Sequence, residues 1–191
     1  MSKMPTDYKA TGPTHIIVPE GDNRERLVCK DCGFINYQNP IIVVGTVTRW
    51  SEKKEEDGEQ ILLCKRAIEP RKGFWTLPAG YLELEETTEE GAIRETWEEA
   101  RAKVSIDRLM AVYNISRLSQ VQLIYQATLL SPNITAGEES LEVGLFSWKE
   151  IPWDEIAFPT VHWALHQNRS VLGQESFKLF GNPENESADK I

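Results

Sequence analysis

The chain of 191 residues is long enough for one well-cored domain and a small appendage. Its hydrophobic fraction of 40% and charged fraction of 27% are ordinary for a soluble globular protein, while its net charge of −9 argues against nucleic acid bound through a broad basic surface. No apolar run reaches the length of a membrane span, and the N-terminus lacks a signal-peptide pattern. Because Cys29, Cys32 and Cys64 provide no disulfide framework, the cytoplasm is the compartment we expect.

The first predicted unit is a small β-ribbon segment over residues 1–38. Two short apolar runs, His15–Val18 and Arg26–Val28, flank the turn-forming sequence PEGDN. Apolar runs separated by turn residues are typical of short antiparallel strands. The segment is therefore predicted to contain a β-hairpin.

The cysteines of this segment form one half of a zinc-binding pattern. Cys29 and Cys32 make a C-x-x-C-G knuckle, and a structural zinc ribbon needs two such knuckles. At the offset of the first knuckle, Tyr8 and Thr11 stand in place of the thiols. The segment is predicted to be a degenerate zinc ribbon that has lost its zinc, and completion of a site by His15 or by a second subunit is the alternative.

Residues 39–181 are predicted to form the main domain, followed by a polar tail at 182–191. Strands and helices are mixed without strict alternation, which indicates an α/β fold with a mixed sheet. The charged stretch 51–60 is predicted to be a hairpin loop, and Phe158–Asn168 a closing helix. The predicted strands are Ile41–Val47, Ile61–Lys65, Trp75–Leu77, Lys103–Ile106, Leu109–Ser116, Val121–Leu130 and Gly144–Trp148.

The most informative stretch is residues 80–102, GYLELEETTEEGAIRETWEEARA. Thr87 and Glu90 form a T-x-x-E capping box, which predicts that a helix begins here. At about 100° per residue, an apolar or small face opposes a carboxylate face. The first face carries Ile93, Thr96, Trp97 and Ala100, and the second carries Glu95, Glu98 and Glu99.

The carboxylate face predicts a metal site directed away from the core. Carboxylates on adjacent helical turns repel one another unless a cation holds them together. Hard divalent cations such as Mg²⁺ take carboxylate oxygens as ligands. A solvated, glutamate-rich surface is the simpler reading of a generic E-x-x-E-E, but the spacing of the whole stretch argues against it.

This spacing resembles the signature of the Nudix hydrolases, G-x5-E-x7-R-E-U-x-E-E-x-G-U, where U is a bulky aliphatic residue. The matching residues are Gly80, Glu86, Arg94, Glu95, Glu98 and Glu99. The resemblance implies a Nudix α/β/α sandwich with a mixed sheet, preceded here by the degenerate β-ribbon segment.

Two positions depart from this pattern. Thr96 stands where a larger aliphatic residue is usual, and it remains compatible with burial against a sheet. Arg101 replaces the glycine that would end the helix in a left-handed conformation. A residue other than glycine costs about 1 kcal/mol there if that conformation is kept.

The resemblance implies metal-dependent hydrolysis of a nucleoside diphosphate linked to another group, through attack of water at phosphorus with Mg²⁺ or Mn²⁺. It makes Glu98 and Glu99 metal ligands, joined by Glu86 from the preceding loop. Glu95 is either a further ligand or the general base. Arg94 is expected to orient the carboxylates through ion pairs.

A second group of expected site residues lies outside the box. Glu139 and Glu142 match the E-S-L-E element of a Nudix subgroup that includes enzymes cleaving FAD and ADP-ribose, although a solvent-facing acidic loop explains them equally well. We expect Glu142 to be catalytic, Glu139 to bind the substrate and Arg66 to contact its phosphate. Gly80, at the start of the box, is also expected to lie beside the substrate.

The same resemblance favours FAD or ADP-ribose as the substrate, with AMP as a product. NADH-cleaving relatives carry S-Q-P-W-P-F-P-x-S after the box, whereas residues 113–126 read YNISRLSQVQLIYQ. NAD(H) and other dinucleotides are therefore the alternative. Phe74, Trp75 and Tyr81 are the candidates to stack on a base.

Two alternative functional classes conflict with the sequence. A non-catalytic Nudix-fold regulator should have lost box acids, yet all four box glutamates are present. A nucleic-acid-binding ribbon conflicts with the missing thiols and the net charge. We expect a small nucleotide as the partner, no nucleic acid and no membrane, and we prefer a homodimer.

The degenerate ribbon generates a prediction about metal content. Because two thiols do not complete a structural zinc site, purified protein should contain well under one zinc per chain. Chelator should leave the folded fraction unchanged, since no zinc contributes to folding. Elemental analysis and circular dichroism with and without EDTA measure both quantities, and stoichiometric zinc would contradict the prediction.

Overall fold

The computed structural model describes residues 12–51 and 59–184. The chain divides into two compact units, Met1–Asn39 and Pro40–Ile191. In the described residues, no helix is both long enough and apolar enough to cross a membrane.

The N-terminal unit contains a three-stranded antiparallel sheet. Its strands are β1 (Pro13–Ile17), β2 (Arg26–Cys29) and β3 (Ile35–Asn36). The predicted hairpin is present, and β3 extends it. Cys29 is buried and Cys32 is exposed, while Tyr8 and Thr11 lie outside the described residues. The predicted loss of zinc stays a prediction.

The second unit is built on one mixed sheet. Among its described residues, seven strands form this sheet, with the central order β10-β5-β4-β9-β8 and β6 and β7 paired to β5 and β4. The pairing of β4 with β9 is parallel and the other pairings are antiparallel. The strands are β4 (Ile41–Trp50), β5 (Gln60–Arg66), β6 (Trp75–Thr76), β7 (Ala79–Tyr81), β8 (Val104–Ile115), β9 (Gln120–Leu129) and β10 (Ser140–Ser147).

Two helices cover opposite faces of this sheet, as the predicted α/β/α sandwich requires. The helices are α1 (Thr88–Ala100) and α2 (Pro159–Ser170). Side chains alternate between the two faces of a strand, so Val44 of β4 packs with Ala92 of α1, while Val47 packs with Val161 of α2. The mixed sheet and the closing helix were thus predicted correctly.

The sheet is split between β4 and β5. These strands pair directly only at Arg49 and Trp50, opposite Ile61 and Gln60. Beyond that point they diverge, because β6 pairs with β5 and β7 pairs with β4. The start of β7 lies so close to Gly45 that a Cβ there would lie 2.5 Å from the Cβ of Ala79. The split creates an opening at the end of the sheet.

Helix α1 begins as the sequence predicts. The side chain of Thr87 accepts a hydrogen bond from the backbone N–H of Glu90, and the Glu90 carboxylate accepts one from the backbone N–H of Thr87. Thr96 is fully buried, and its hydroxyl lies 2.9 Å from that of Thr46 on β4. A hydroxyl therefore replaces an aliphatic side chain without leaving a buried polar group unpaired.

The predicted burial of the two helix faces is wrong in part. Ile93 and Trp97, placed on the buried face, are 38% and 42% exposed. Glu99, placed on the outward face, is only 6% exposed. The helix is rotated relative to the expected orientation because its contacts with the sheet run through Ala92, Thr96 and Ala100. The stability of the protein therefore depends on the charge state of Glu99.

The strand predictions differ from the structure mainly at irregular points. The predicted strands Lys103–Ile106 and Leu109–Ser116 are one strand, β8, which stays continuous through two register shifts. Strands β3 and β7 were not predicted because a strand of two or three residues is too short to show an alternation of apolar and polar residues. The predicted loop at 51–60 closes an antiparallel pair at its base, but residues 52–58 lie outside the described part of the chain.

The end of α1 keeps the left-handed conformation despite its arginine. Arg101 has φ 50° and ψ 25°, and its backbone N–H donates to the carbonyl of Trp97. Its guanidinium lies 5.8 Å from the centre of the Trp97 ring. The left-handed geometry costs a non-glycine residue about 1 kcal/mol, and an exposed cation–π contact offsets about half of that.

Arg101→Gly should therefore stabilise the protein by about 0.5 kcal/mol, measured by urea denaturation. Lys103→Gly is the matched control, because Lys103 does not have a positive φ and glycine there only adds flexibility to the unfolded chain. A loss of stability in Arg101→Gly as large as that in the control would show that the arginine side chain holds the helix end.

Candidate functional site

The opening between β4 and β5 leads into a cavity of about 890 Å³. Carboxylates from α1 line one end, among them Glu95, Glu98 and Glu99. The floor of the other end is largely apolar and includes Val43 and Ile124. Volumes of this size are typical of small-molecule sites.

Arg94 connects three of the box carboxylates. Its Nη1 donates to Glu95 Oε1 at 2.6 Å and to Glu98 Oε2 at 3.1 Å. Nε and Nη2 donate to the two oxygens of Glu86 at 3.0 and 2.7 Å. Nη2 also donates to the backbone carbonyl of Tyr81. Arg94 thus forms ion pairs with three box acids and uses its planar fork for a bidentate pair with Glu86.

Glu86 lies on the loop before α1, as expected from the capping box. Its Oε1 accepts a second hydrogen bond, from the backbone N–H of Glu83 at 2.7 Å. The hydrogen bonds from Arg94 and then from Glu83 lower the pKa of Glu86 to about 2. This carboxylate is therefore ionised at any pH at which the protein works.

Glu99 is in the opposite electrostatic situation. Burial first, and the nearby charge of Glu95 second, raise the pKa of Glu99 to about 8, against a hydrogen bond from the backbone N–H of Ala79 and the charge of Arg66. Burial also raises the pKa of Glu95, although Arg94 opposes the shift. Ionisation of Glu99 is therefore disfavoured unless positive charge is brought beside it.

Two glycines permit the close packing of this acid cluster. A Cβ at Gly80 would collide with the carboxylate of Glu95, and a Cβ at Gly137 would collide with the backbone carbonyl of Glu98. The Gly137 N–H donates to the Glu99 carbonyl at 2.9 Å. Gly80 therefore lies against the acids rather than on the apolar floor, and Gly137 holds the following loop against the end of α1.

The donor chemistry of this cluster fits a hard divalent cation. Its oxygens are carboxylate oxygens, which Mg²⁺ and Mn²⁺ prefer. Within the described residues, no three acidic, histidine or cysteine side chains are already arranged around one metal position. Arg94 instead holds several of the carboxylates, so a metal would compete with it for Glu98 and Glu95.

The two distal acids have different surroundings. Glu139 lines the cavity together with Glu138, and its charge contributes to the raised pKa of both Glu95 and Glu99. Glu142 is exposed on β10, does not line the cavity, and lies 4.0 Å from Nζ of Lys65. The structure therefore brings only Glu139 to the box glutamates.

Arg66 lines the cavity, where its Nε donates to the carbonyl of Pro70 at 2.8 Å and its guanidinium lies 5.2 Å from the Phe158 ring. Of the three aromatic candidates, only Tyr81 lines the cavity. Trp75 belongs to the core, and Phe74 is covered by the guanidinium of Arg71 at 4.2 Å.

Some cavity residues were not selected from the sequence. The N–H of Ala79 is a backbone group, which no side-chain pattern reveals. Gln120 and Gln122 line the cavity from β9, and their alternation with Val121 and Leu123 was a readable signal. It was missed because the strand was assigned from its apolar residues alone.

Family models match both units of the chain. The NUDIX domain model matches residues 43–164, and the Nudix N-terminal model, a zinc ribbon, matches residues 11–38. The second match agrees with the resemblance of the N-terminal segment to a zinc ribbon.

Two curated proteins illustrate the relationship. A MutT-like protein from Streptomyces ambofaciens is 36% identical over 108 residues, covering 56% of this chain and 62% of that protein. An ADP-ribose pyrophosphatase from Methanocaldococcus jannaschii is 30% identical over 120 residues, covering 61% of this chain and 67% of that protein. The chain thus spans less than two thirds of the Streptomyces protein.

Solved structures extend the likeness to most of the chain. A NUDIX hydrolase from Nitrosomonas europaea has 44% identity and a TM-score of 0.78, covering 88% of this chain and 93% of its own. The NUDIX domain of Shewanella oneidensis NrtR, solved with ADP ribose, has 18% identity and a TM-score of 0.59, covering 71% and 90%, and it shows the fold alone. Because the NUDIX model matches more than half of the chain, and Glu95, Glu98 and Glu99 of the box line one cavity, the chain belongs to the Nudix hydrolase family.

Proposed function

We propose that the protein is a metal-dependent pyrophosphohydrolase that cleaves the diphosphate of an ADP-containing nucleotide, with ADP-ribose as the first choice and FAD as the second. The observation that carries the proposal is that Glu95, Glu98 and Glu99 of α1 line one cavity, where Glu99 is only 6% exposed. A divalent cation would favour the ionised carboxylates and would neutralise the charge of a bound diphosphate.

Glu98 and Glu99 would hold the metal, with Glu86 and Glu95 as the further candidates. The bound metal would neutralise diphosphate charge and lower the pKa of water at the site. Arg94 keeps these carboxylates together before the metal arrives, since its ion pairs offset their repulsion. Arg66, at the wall of the same cavity, is positioned to contact phosphate.

Glu139 is our candidate for the general base. The carboxylate of Glu95 is held by Arg94 at 2.6 Å, whereas that of Glu139 has no hydrogen-bond or ion-pair partner in the described residues. In the proposed step, an oxygen of water forms a bond to phosphorus, the bridging P–O bond breaks, and the proton passes to Glu139. The leaving phosphate keeps the electron pair of the broken bond.

Two observations support an ADP-containing substrate. A relative with 30% identity is an ADP-ribose pyrophosphatase. The cavity of about 890 Å³ also has room for a nucleoside and a second group beyond the diphosphate. FAD ranks second because its support is the E-S-L-E element, of which Glu142 lies outside the cavity.

Glu98→Gln and Glu139→Gln test this assignment. With ADP-ribose, FAD, NADH and a dinucleoside polyphosphate as substrates, wild-type protein should release phosphorylated products only with Mg²⁺ or Mn²⁺. Loss of a ligand charge or of the base should lower kcat by roughly 100-fold or more. Glu89→Gln, an exposed change in the first turn of α1, is the matched control and should keep full activity.

Metal-independent turnover, or normal turnover by Glu98→Gln at saturating Mg²⁺, would reject the proposed reaction. Normal turnover by Glu139→Gln alone would move the role of base to Glu95. A clear preference for a nucleoside triphosphate in kcat/KM would reject the proposed substrate class.

The raised pKa of Glu99 predicts the pH dependence of the metal-free protein. From about pH 4.5 to about pH 8, Glu99 keeps its proton in the folded state but loses it on unfolding, so the free energy of unfolding should fall as pH rises. Urea denaturation in EDTA at pH 5, 6.5 and 8 measures the slope. Glu99→Gln should flatten it, and an unchanged slope would contradict the raised pKa.

A further inference from the structure

Strand β9 places several glutamines on the face that packs toward the core beside α2. Gln120, Gln122 and Ile124 share one face, since side chains alternate along a strand. Ile124 packs in the core beside Val161 of α2, so this face looks toward α2. Glutamines on such a face are an exception to the usual pattern of a half-buried strand.

A third glutamine on the same face has a hydrogen-bond partner within the protein. Nε2 of Gln126 donates to Oδ1 of Asn168 on α2 at 2.8 Å, and both residues are buried. The side chains of Gln120 and Gln122 have no hydrogen-bond partner in the described residues, and both line the cavity. Each amide offers two N–H donors and one carbonyl acceptor to whatever enters it.

The surroundings of these amides suit a flat, neutral ring. Gln122 is paired with Val43 of β4, which is paired in turn with Tyr81 of β7. Neighbouring strands lie about 4.8 Å apart. The ring of Tyr81, the side chain of Val43 and the amide of Gln122 therefore form a row about 10 Å wide across three strands. Tyr81 is 55% exposed at the cavity edge, which leaves its ring available for stacking.

We propose that Gln120 and Gln122 bind the hydrogen-bonding edge of the adenine base of the substrate and thereby determine its specificity. A carboxamide pairs with adenine through one donated and one accepted hydrogen bond, the geometry used by glutamine at adenine in nucleic acids. The amides are uncharged, so they suit a base rather than a phosphate. The phosphates belong to the end of the cavity that holds Glu98, Glu99 and Arg66.

This inference rests on the proposed function, and its test must separate the two. Binding of AMP and of ribose 5-phosphate is measured by calorimetry for wild-type, Gln120→Leu and Gln122→Leu proteins. The two ligands share the ribose phosphate and differ in the base. Each substitution should weaken AMP binding about 3- to 10-fold, the effect of one lost hydrogen bond, and leave ribose 5-phosphate binding unchanged.

Turnover provides a second readout. With ADP-ribose, Gln122→Leu should raise KM by the same factor and change kcat little, because the base is remote from the reacting phosphorus. With an ADP-ribose analogue that lacks the 6-amino group, the KM values of wild-type and variant should differ less. The substitution and the missing amino group remove the same hydrogen bond, so their effects do not add. Gln174→Leu, the same change at an exposed position outside the cavity, is the matched control.

Wild-type affinity for AMP in both variants would overturn the inference, as would an equal loss for AMP and ribose 5-phosphate. If wild-type protein hydrolyses none of the nucleotides, the proposed reaction fails, yet the AMP comparison still decides the base subsite. If hydrolysis depends on Glu98 but not on Gln120 or Gln122, the reaction stands and the subsite is wrong.

Discussion

The ion pairs of Arg94 are the interaction on which the site depends. One guanidinium contacts Glu86, Glu95 and Glu98, which come from a loop and from successive turns of α1. Without it, these acids would repel one another and separate. The hydrogen bond to the Tyr81 carbonyl extends the same guanidinium to β7, so the strand, the loop and the helix are held in one arrangement. The carboxylates proposed to hold a metal and the cavity proposed for the nucleotide therefore meet at this guanidinium.

The split between β4 and β5 connects two kinds of chemistry. A continuous pairing of these strands would close the sheet and separate the acidic end of the cavity from the apolar floor. Because β6 pairs with β5 and β7 pairs with β4 where the two strands diverge, Glu99 and Val43 line the same cavity. An anionic diphosphate and a neutral ring can thus be bound in one cavity by different surfaces.

The sequence predicted local features well and their surroundings poorly. The capping box and the fold class were predicted correctly, and most of the longer strands were located. The burial of Glu99 depends on Ala79 and on the loop that ends at Gly137, which are distant in sequence. Helical periodicity gives the angle between two side chains but not the direction of the core. For the same reason Glu142 matched a pattern while its carboxylate lies outside the cavity.

The contact between Gly137 and the end of α1 has a consequence for how this enzyme family can diversify. The N–H groups of Thr135 and Gly137 donate to the carbonyls of Ala100 and Glu99, so this part of the loop is fixed in length and register to the helix. Insertions between these contacts would shift Glu139 relative to the acids of α1, whereas extra residues before Thr135 would leave it in place. The preceding residues 131–133, between the Leu130 N–H bonded to Lys103 and Ile134 packed against the core, are therefore where loop length can change without altering the spacing of the acidic groups.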